Sequence, residues 1–490
     1  MRYGGQNCIM NFGLESYLPY VLYTGAIIVL LLTIFWRPIA GIFYLLPLIP
    51  LQTIRYRVND LPLGSSLFGI MLIAIAIGQW RLGRPVFPKT PWRKILAVFA
   101  LFTFISLCMG SWYLKRGAPL PGDSRFSVWQ EYMIMPAMLL LVASVVQTKR
   151  EMQAIVLVMC FATLELDKSF WNEVSDRDFS TYSDDLHGEG GSMGYAGANG
   201  LAAFASQASA FLLALAAFER RKWVLVGYYA LAAFSAIVLM YSLSRGGYAA
   251  ILVGCLVIGI LKERKMLLLL AVFLCTWTTI VPPAVEQRVG MTYDQQNGQF
   301  DGSANARFSI WSDTMQVFNE HAFLGTGFDT YEYMNLRKVP YWTEGYYSDT
   351  HNYFLKVLVE TGVVGLLVFL WLLGRTFAEG YRLFRHARDP FFKGLGLGLI
   401  GWLVCAMTAN MFGDRWTYLQ VNGYMWVIAG LVCCATEIEK RESGKDVATV
   451  TTAGQETSKL KTQGVEVATE PNISDVAWEP AVPESVSFRL

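Results

Sequence analysis

The chain has 490 residues, of which 54% are hydrophobic and 16% charged, and its mean hydropathy is +0.37. That composition excludes an ordinary soluble globule and describes a membrane protein. A net charge of +2 says nothing by itself about a partner, and nothing calls for nucleic acid. The 8 cysteines lie almost all in apolar stretches without paired-ligand spacing, which indicates neither a disulfide framework nor a zinc site.

Stretches able to cross about 30 Å of hydrocarbon recur along the chain, each bounded by charged residues or by Gly and Pro. In chain order they are Leu18 to Phe35, Pro38 to Ile54, Leu63 to Trp80, Lys94 to Tyr113, Val128 to Val146 and Met152 to Leu164. Then come Leu201 to Phe218, Trp223 to Leu243, Gly246 to Leu261, Met266 to Pro282, Asn352 to Leu373, Gly394 to Met411 and Leu419 to Thr436. They make roughly thirteen spans, or about twelve if the short second or sixth stretch does not cross. The expected fold class is an all-α polytopic membrane protein. The first stretch lacks a basic leader and a clear cleavage site, so it reads as a retained span rather than a signal peptide.

Breaks rich in Lys and Arg are expected to face the cytoplasm. They hold Arg81, Arg84, Lys89 and Arg93, then Lys149 and Arg150, Arg220 to Lys222, Lys262 to Lys265, and Arg375 to Lys393. Segments Glu165 to Gly200, Ser244 to Arg245, Pro283 to His351 and Gly413 to Arg415 then lie outside. The first of these is acidic, rich in Gly and Ser, and reads as a flexible loop. Its Asp184, Asp185, His187 and Glu189 have no helical spacing and read as solvated rather than as a metal site; His187 is a minor candidate for binding an acceptor.

The larger outer loop, 283–351, is expected to be partly helical. In "NARFSIWSDTMQVFNEHAFLGTG", Phe308, Trp311, Met315 and Phe318 recur at steps of a helix face, predicting a helix capped by Asn305, stopped near Gly325 to Gly327, and lying along the membrane surface. Residues 1–437 then form a transmembrane domain. The polar, aperiodic segment 438–490 is expected to be a disordered cytoplasmic tail.

Topology gathers three basic residues on one side. Arg245 in "YSLSRGGYAAILVG" reads either as an arginine snorkelling to the interface or as a working group, with Gly246 and Gly247 leaving room for a bulky ligand. Arg307 opens the loop helix, and His351 opens the next span. Arginine presents a planar fork matched to phosphate oxygens, and two such forks suffice to neutralise a pyrophosphate. Histidine accepts a proton at ambient pH, although a lone histidine at a membrane edge also occurs as a hydrogen-bonded structural residue. Around these, Asn352 orients His351 or caps the following span. Lys356 and Glu360 read as a structural i,i+4 pair. Asp329 and Asp349 read by default as surface carboxylates, with orienting the imidazole through its other nitrogen as the alternative, and His321 is the reserve base. Arg415 in "GDRWTYLQ" joins the cations or anchors the interface with Trp416 and Tyr418.

"SRGG", then "ARFSIW" with "LGTGF", then "HNYFLKVLVETGVVGLL", with a large outer loop between first and last, resemble the signature of the O-antigen ligase and polymerase superfamily. The resemblance implies a multi-spanning glycosyltransferase of the C-type architecture in the bacterial inner membrane, with its active site facing the periplasm. It implies a donor glycan on undecaprenyl pyrophosphate, passed with inversion to a hydroxyl of lipid A core, a protein or a growing glycan. It further implies that Arg245 and Arg307 hold the pyrophosphate and that His351 is the base, with no metal or other cofactor required. Ligase and polymerase share the donor and stay undivided here. From another class, a flippase of the same lipid-linked sugars is the rival; transporters place ionisable residues near the midplane, whereas these cluster at one face.

Overall fold

The computed structural model describes residues 17–294, 299–334 and 349–462, with the side chains of residues 294, 299–300 and 443–462 left aside. Residues 1–439 form one unit and 440–490 a second. Among the described residues, the regular elements of the first are helices apart from a two-residue antiparallel ladder, Tyr293–Asp294 with Gln299–Phe300. Helices satisfy every backbone group internally, the condition for lying in hydrocarbon.

In order the helices are α1 (Leu18–Phe35), α2 (Ile39–Leu48), α3 (Gln52–Tyr56), α4 (Leu67–Arg81), α5 (Arg93–Tyr113), α6 (Ser124–Val145), α7 (Lys149–Val174) and α8 (Gly197–Ala216). They continue as α9 (Lys222–Tyr241), α10 (Arg245–Leu261), α11 (Arg264–Ile280), α12 (Pro283–Gly290), α13 (Gly302–Glu320), α14 (Tyr353–His386), α15 (Pro390–Asn410) and α16 (Leu419–Thr462). Each expected span falls on a helix except the second, Pro38 to Ile54, which is divided between α2 and α3. Among the described residues, 9 are long and apolar enough to cross, or up to 10 if α11 with α12, bent by 109°, counts as one. The rest of the expected set falls short for identifiable reasons. α2 has 10 residues and contains Pro47, α10 has 17, and the second half of α7 carries Glu165, Asp167, Lys168 and Glu173.

α8 and α15 run through the middle. α8 packs on α9, α10 and α15, and α15 packs on α14 as well. Their small residues permit this: α8 buries Gly200 and a series of alanines, and a Cβ on Gly396 would lie 2.5 Å from the backbone nitrogen of Phe384, so α14 and α15 touch through backbone. α11 buries nothing and lies at the edge.

α14 decides the geometry of the site. Its 34 residues would reach about 51 Å, well beyond the ~30 Å hydrocarbon thickness, and it breaks at Gly362, whose φ of 67° is left-handed. Backbone groups freed at the break are taken by the segment after α13: Gly327 N–H donates to Glu360 O at 2.7 Å, and Val363 N–H donates to Ala322 O at 2.9 Å. The glycines of "LGTGF" are there because nothing larger fits. Gly327 has φ 111°, and a Cβ on it would sit 2.1 Å from Gly110 Cα of α5.

Several expectations are corrected. α13 is capped by Asp301, not Asn305, and ends at His321 before the glycines. Its packed face is Ile310 and Thr314 rather than Phe308 and Met315, because Tyr331 and Val359 lie against Ile310. The segment after α7 is built rather than loose: Glu173 accepts from Gly191 N–H, and Arg177 donates to the carbonyls of Asp185, Leu186 and His187. In the tail, α16 runs on to Thr462. Residues 463–490 of that tail, and 335–348 of the large loop, lie outside the described residues.

Candidate functional site

The corner before α10 is tight: buried Leu243 holds φ 55°, in the left-handed region that costs a non-glycine residue about 1–3 kcal/mol. It delivers Arg245 to the head of α10, where the guanidinium pairs with Asp301 at 2.8 Å and donates to Thr292 Oγ1 at 3.0 Å. Asp301 also accepts from Ala304 N–H at 2.8 Å. One carboxylate therefore starts the loop helix and fastens it to the "SRGG" arginine.

Arg307 lies in the second turn of α13. One turn further on, Trp311 Nε1 donates to Thr350 O at 2.9 Å, tying the helix to the residue before His351. His351 holds φ 50°, with its N–H donating to Asp349 Oδ1 at 2.6 Å and its Nδ1 lying 3.5 Å from Asp349 Oδ2. Tyr353 N–H donates to Gly413 O at 3.0 Å, which brings Asp414 and Arg415 alongside. Three backbone and side-chain ties thus draw Arg245, Arg307, Arg415 and His351 into one neighbourhood from distant parts of the sequence.

The electrostatics fit an anion. Burial, then Arg245 and Arg415, pull the Arg307 guanidinium below its ordinary value, with Asp301 opposing and Arg288 adding to the pull. Arg307 Nε is buried without a hydrogen-bond partner among the described residues, and so is Arg288 Nε. Burial, then Arg307 and Arg415, push the His351 imidazole down to about 4, against Asp414, which raises it. The ring is therefore neutral at ambient pH.

Arg288, in α12, was missed by sequence reasoning. Its guanidinium lies 4.9 Å from the Tyr182 ring. The available signal was a basic residue in a loop expected to lie outside, where cations are scarce. His187 also reaches this cluster, lowered first by burial and then by Arg288.

Behind His351 lies a buried polar chain. Burial, opposed by Lys356, pushes the Asp414 carboxyl up to about 6, with Asp349 adding to the rise. Asp414 pairs with Lys356 at 3.2 Å. Lys356 therefore takes Asp414 as its ion-pair partner instead of the expected Glu360. Glu360 accepts from Tyr331 N–H at 3.1 Å, because the "LGTGF" segment occupies that side of α14. Asn352 caps α14, accepting from Phe354 and Leu355 N–H. His321 ends α13, its ring edge-on to Tyr113 at 5.2 Å, about 21 Å along the helix from Arg307 at 1.5 Å per residue. Trp416 is fully buried and donates to Tyr132 Oη at 2.9 Å, so it is a core residue and not the interfacial anchor expected beside Arg415.

Bundle and site together define a polytopic membrane protein with a cluster of cationic side chains around one histidine at the ends of its helices. Residues 230–370 match the family model for O-Antigen ligase, a stretch that holds Arg245, Arg288, Arg307 and His351 and stops short of Arg415. Over that stretch the chain is similar to the O-antigen ligase family, which supports a role with lipid-linked glycans and a transferase type of activity. Comparison with curated proteins gives no match.

Proposed function

We propose that the protein transfers a glycan from undecaprenyl pyrophosphate to an acceptor hydroxyl at the outer face of the bacterial inner membrane. The observation that carries this reading is the buried, unpartnered Nε of Arg307 beside Arg245 and Arg415, with a neutral histidine in the same neighbourhood. An unpaired buried cationic donor is unfavourable until an anion takes it. The sidedness rests on the basic breaks lying at the opposite ends of the spans.

In this mechanism Arg245, Arg288, Arg307 and Arg415 hold the two phosphates. The acceptor oxygen attacks the anomeric carbon from the face opposite the leaving group. As that bond forms, the bond to pyrophosphate breaks with its electron pair, and the acceptor proton passes to His351 Nε2. Asp349, on the Nδ1 side, fixes that tautomer and steadies the imidazolium. Fixed cations beside the leaving group act most strongly where its charge develops, so they lower the barrier selectively. Pyrophosphate binding also cancels the arginine field that suppresses the imidazole, so the base strengthens once the donor is seated.

The test is transfer by purified protein in nanodiscs, given undecaprenyl-pyrophosphate glycan, a chelator, and lipid A core, peptide or a second donor as acceptor, with products read by mass. His351→Ala is expected to abolish product while donor still binds. Product that forms only with added magnesium, or undiminished transfer by His351→Ala, refutes the mechanism.

A further inference from the structure

The segment after α7, residues 176–187, grips α12 along its length. Phe179 O accepts from Ala284 N–H at 3.1 Å at the start of the helix, and Gln287 Oε1 accepts from Tyr182 N–H at 2.9 Å a turn further on. Ala284, Val285 and Phe179 are buried, and the Phe179 ring packs edge-on to Tyr241 at 4.7 Å. The segment is itself braced: Arg177 donates to three of its carbonyls, and Tyr182 Oη donates to Asp184 Oδ1 at 2.6 Å. Backbone and hydroxyl are therefore both tied down. Between them, the Tyr182 ring has the Arg288 guanidinium over it, 4.9 Å from its centroid.

That contact has a chemical use. A ring quadrupole attracts a guanidinium without consuming any of its N–H hydrogen bonds. Arg288 Nε is buried with no hydrogen-bond partner among the described residues, so the fork is held in place but left unsatisfied. An arginine free to rotate loses rotamer entropy when an anion immobilises it; one already held loses less. Burial and then the bond to Asp184 push the Tyr182 phenol up to about 12, against Arg288 and Arg245, so the ring stays neutral at ambient pH. Both guanidiniums thus lie near this one ring. They are also joined along the chain, since Thr292, four residues beyond Arg288, accepts from Arg245 Nη1 at 3.0 Å.

Resting on the transfer reading above, we propose that Tyr182 is the positioning residue for Arg288: its ring holds the guanidinium with Nε left for the donor diphosphate, so the segment after α7 sets the spacing between the Arg288 and Arg245 forks. Tyr182 touches neither phosphate nor sugar. Its effect on the donor passes through Arg288 alone.

The experiment titrates undecaprenyl pyrophosphate, without glycan, into full-length protein in phosphatidylcholine nanodiscs, with the bound fraction read by native mass spectrometry. Tyr182→Leu removes the ring and is expected to weaken binding about fivefold, the effect of one cation–π contact. Tyr182→Phe restores the ring and is expected to recover that loss. A trifluorinated phenylalanine at the same position keeps the shape, and with it the fold, but cancels the negative ring face; it is expected to weaken binding as Tyr182→Leu does. In the Arg288→Gln background the same fluorination is expected to change binding by less than about twofold, because the cation it acts on has gone. Equal binding by the plain and fluorinated rings overturns the assignment, as does an equal fluorination effect with and without Arg288. A fluorination effect seen only with glycan-bearing donor overturns it too, since that places the ring against sugar. These outcomes leave the transfer reading standing. The expected ring dependence with no product from glycan-bearing donor sinks that reading alone, and wild type that binds no probe sinks both.

Discussion

Removing one arginine should retune the base. His351 sits at about 4 against an ordinary 6.5, and at ~1.4 kcal/mol per pH unit the site opposes protonation by ~3 kcal/mol. Burial contributes most, Arg307 next and Arg415 after it. The acidic limb of kcat/KM, which reports the free enzyme, should therefore fall near pH 4 in wild type. Arg415→Gln leaves burial and Arg307 in place and should raise that limb by about half to one pH unit. In kcat, which reports the loaded enzyme, the limb should stand higher than in kcat/KM, because bound phosphates cancel the cations. The assay is donor turnover in nanodiscs from pH 3.5 to 8, with product counted by mass. A wild-type kcat/KM limb near 6.5, or an Arg415→Gln limb that moves down, refutes the reasoning.

Four further outcomes are expected. The unfolded imidazole takes protons at 6.5 and the folded one only at about 4, so its contribution is whole above 6.5 and is lost as pH falls toward 4; thermal unfolding of His351→Gln should lack that part of the acid loss. Asp414→Ala strands Lys356, 18% exposed and paired at 3.2 Å, and should cost about 3–5 kcal/mol in chemical denaturation, with Lys356→Met on top restoring much of it. Gly327→Ala collides with α5 backbone at 2.1 Å and should abolish a folded peak in size-exclusion chromatography, while Gly374→Ala, with nothing within 4 Å, should behave as wild type. Arg288→Gln should weaken donor binding about tenfold or more in a direct titration while leaving the melting temperature unchanged, since its Nε is free for a ligand.

The legible part of this protein was what depends on local composition. Each apolar stretch became a helix because hydrocarbon leaves the backbone no other way to pair, and Arg245, Arg307 and His351 stood out because charge is scarce in such a chain. Asn352 was recognisable as a cap from its place before an apolar run. What escaped was every choice among equivalent partners. Periodicity offered Phe308 and Met315 as the packed face of α13, but the face that meets Tyr331 and Val359 carries Ile310. Helical spacing offered Glu360 to Lys356, but Gly413 accepts from Tyr353 N–H and brings Asp414 nearer. Arg288 was one basic residue among 40 until folding set it beside Arg307.

The sequence by itself determined a many-helix membrane protein with its spare cations and one histidine on the same side. Only the tertiary structure decided that Asp301, Trp311 and Gly413 tie those residues into one centre, and that Asp349 and Asp414 stand beside the imidazole. The reason is physical: hydropathy and helix pairing act over a few neighbouring residues, whereas an ion pair depends on distances that only packing sets.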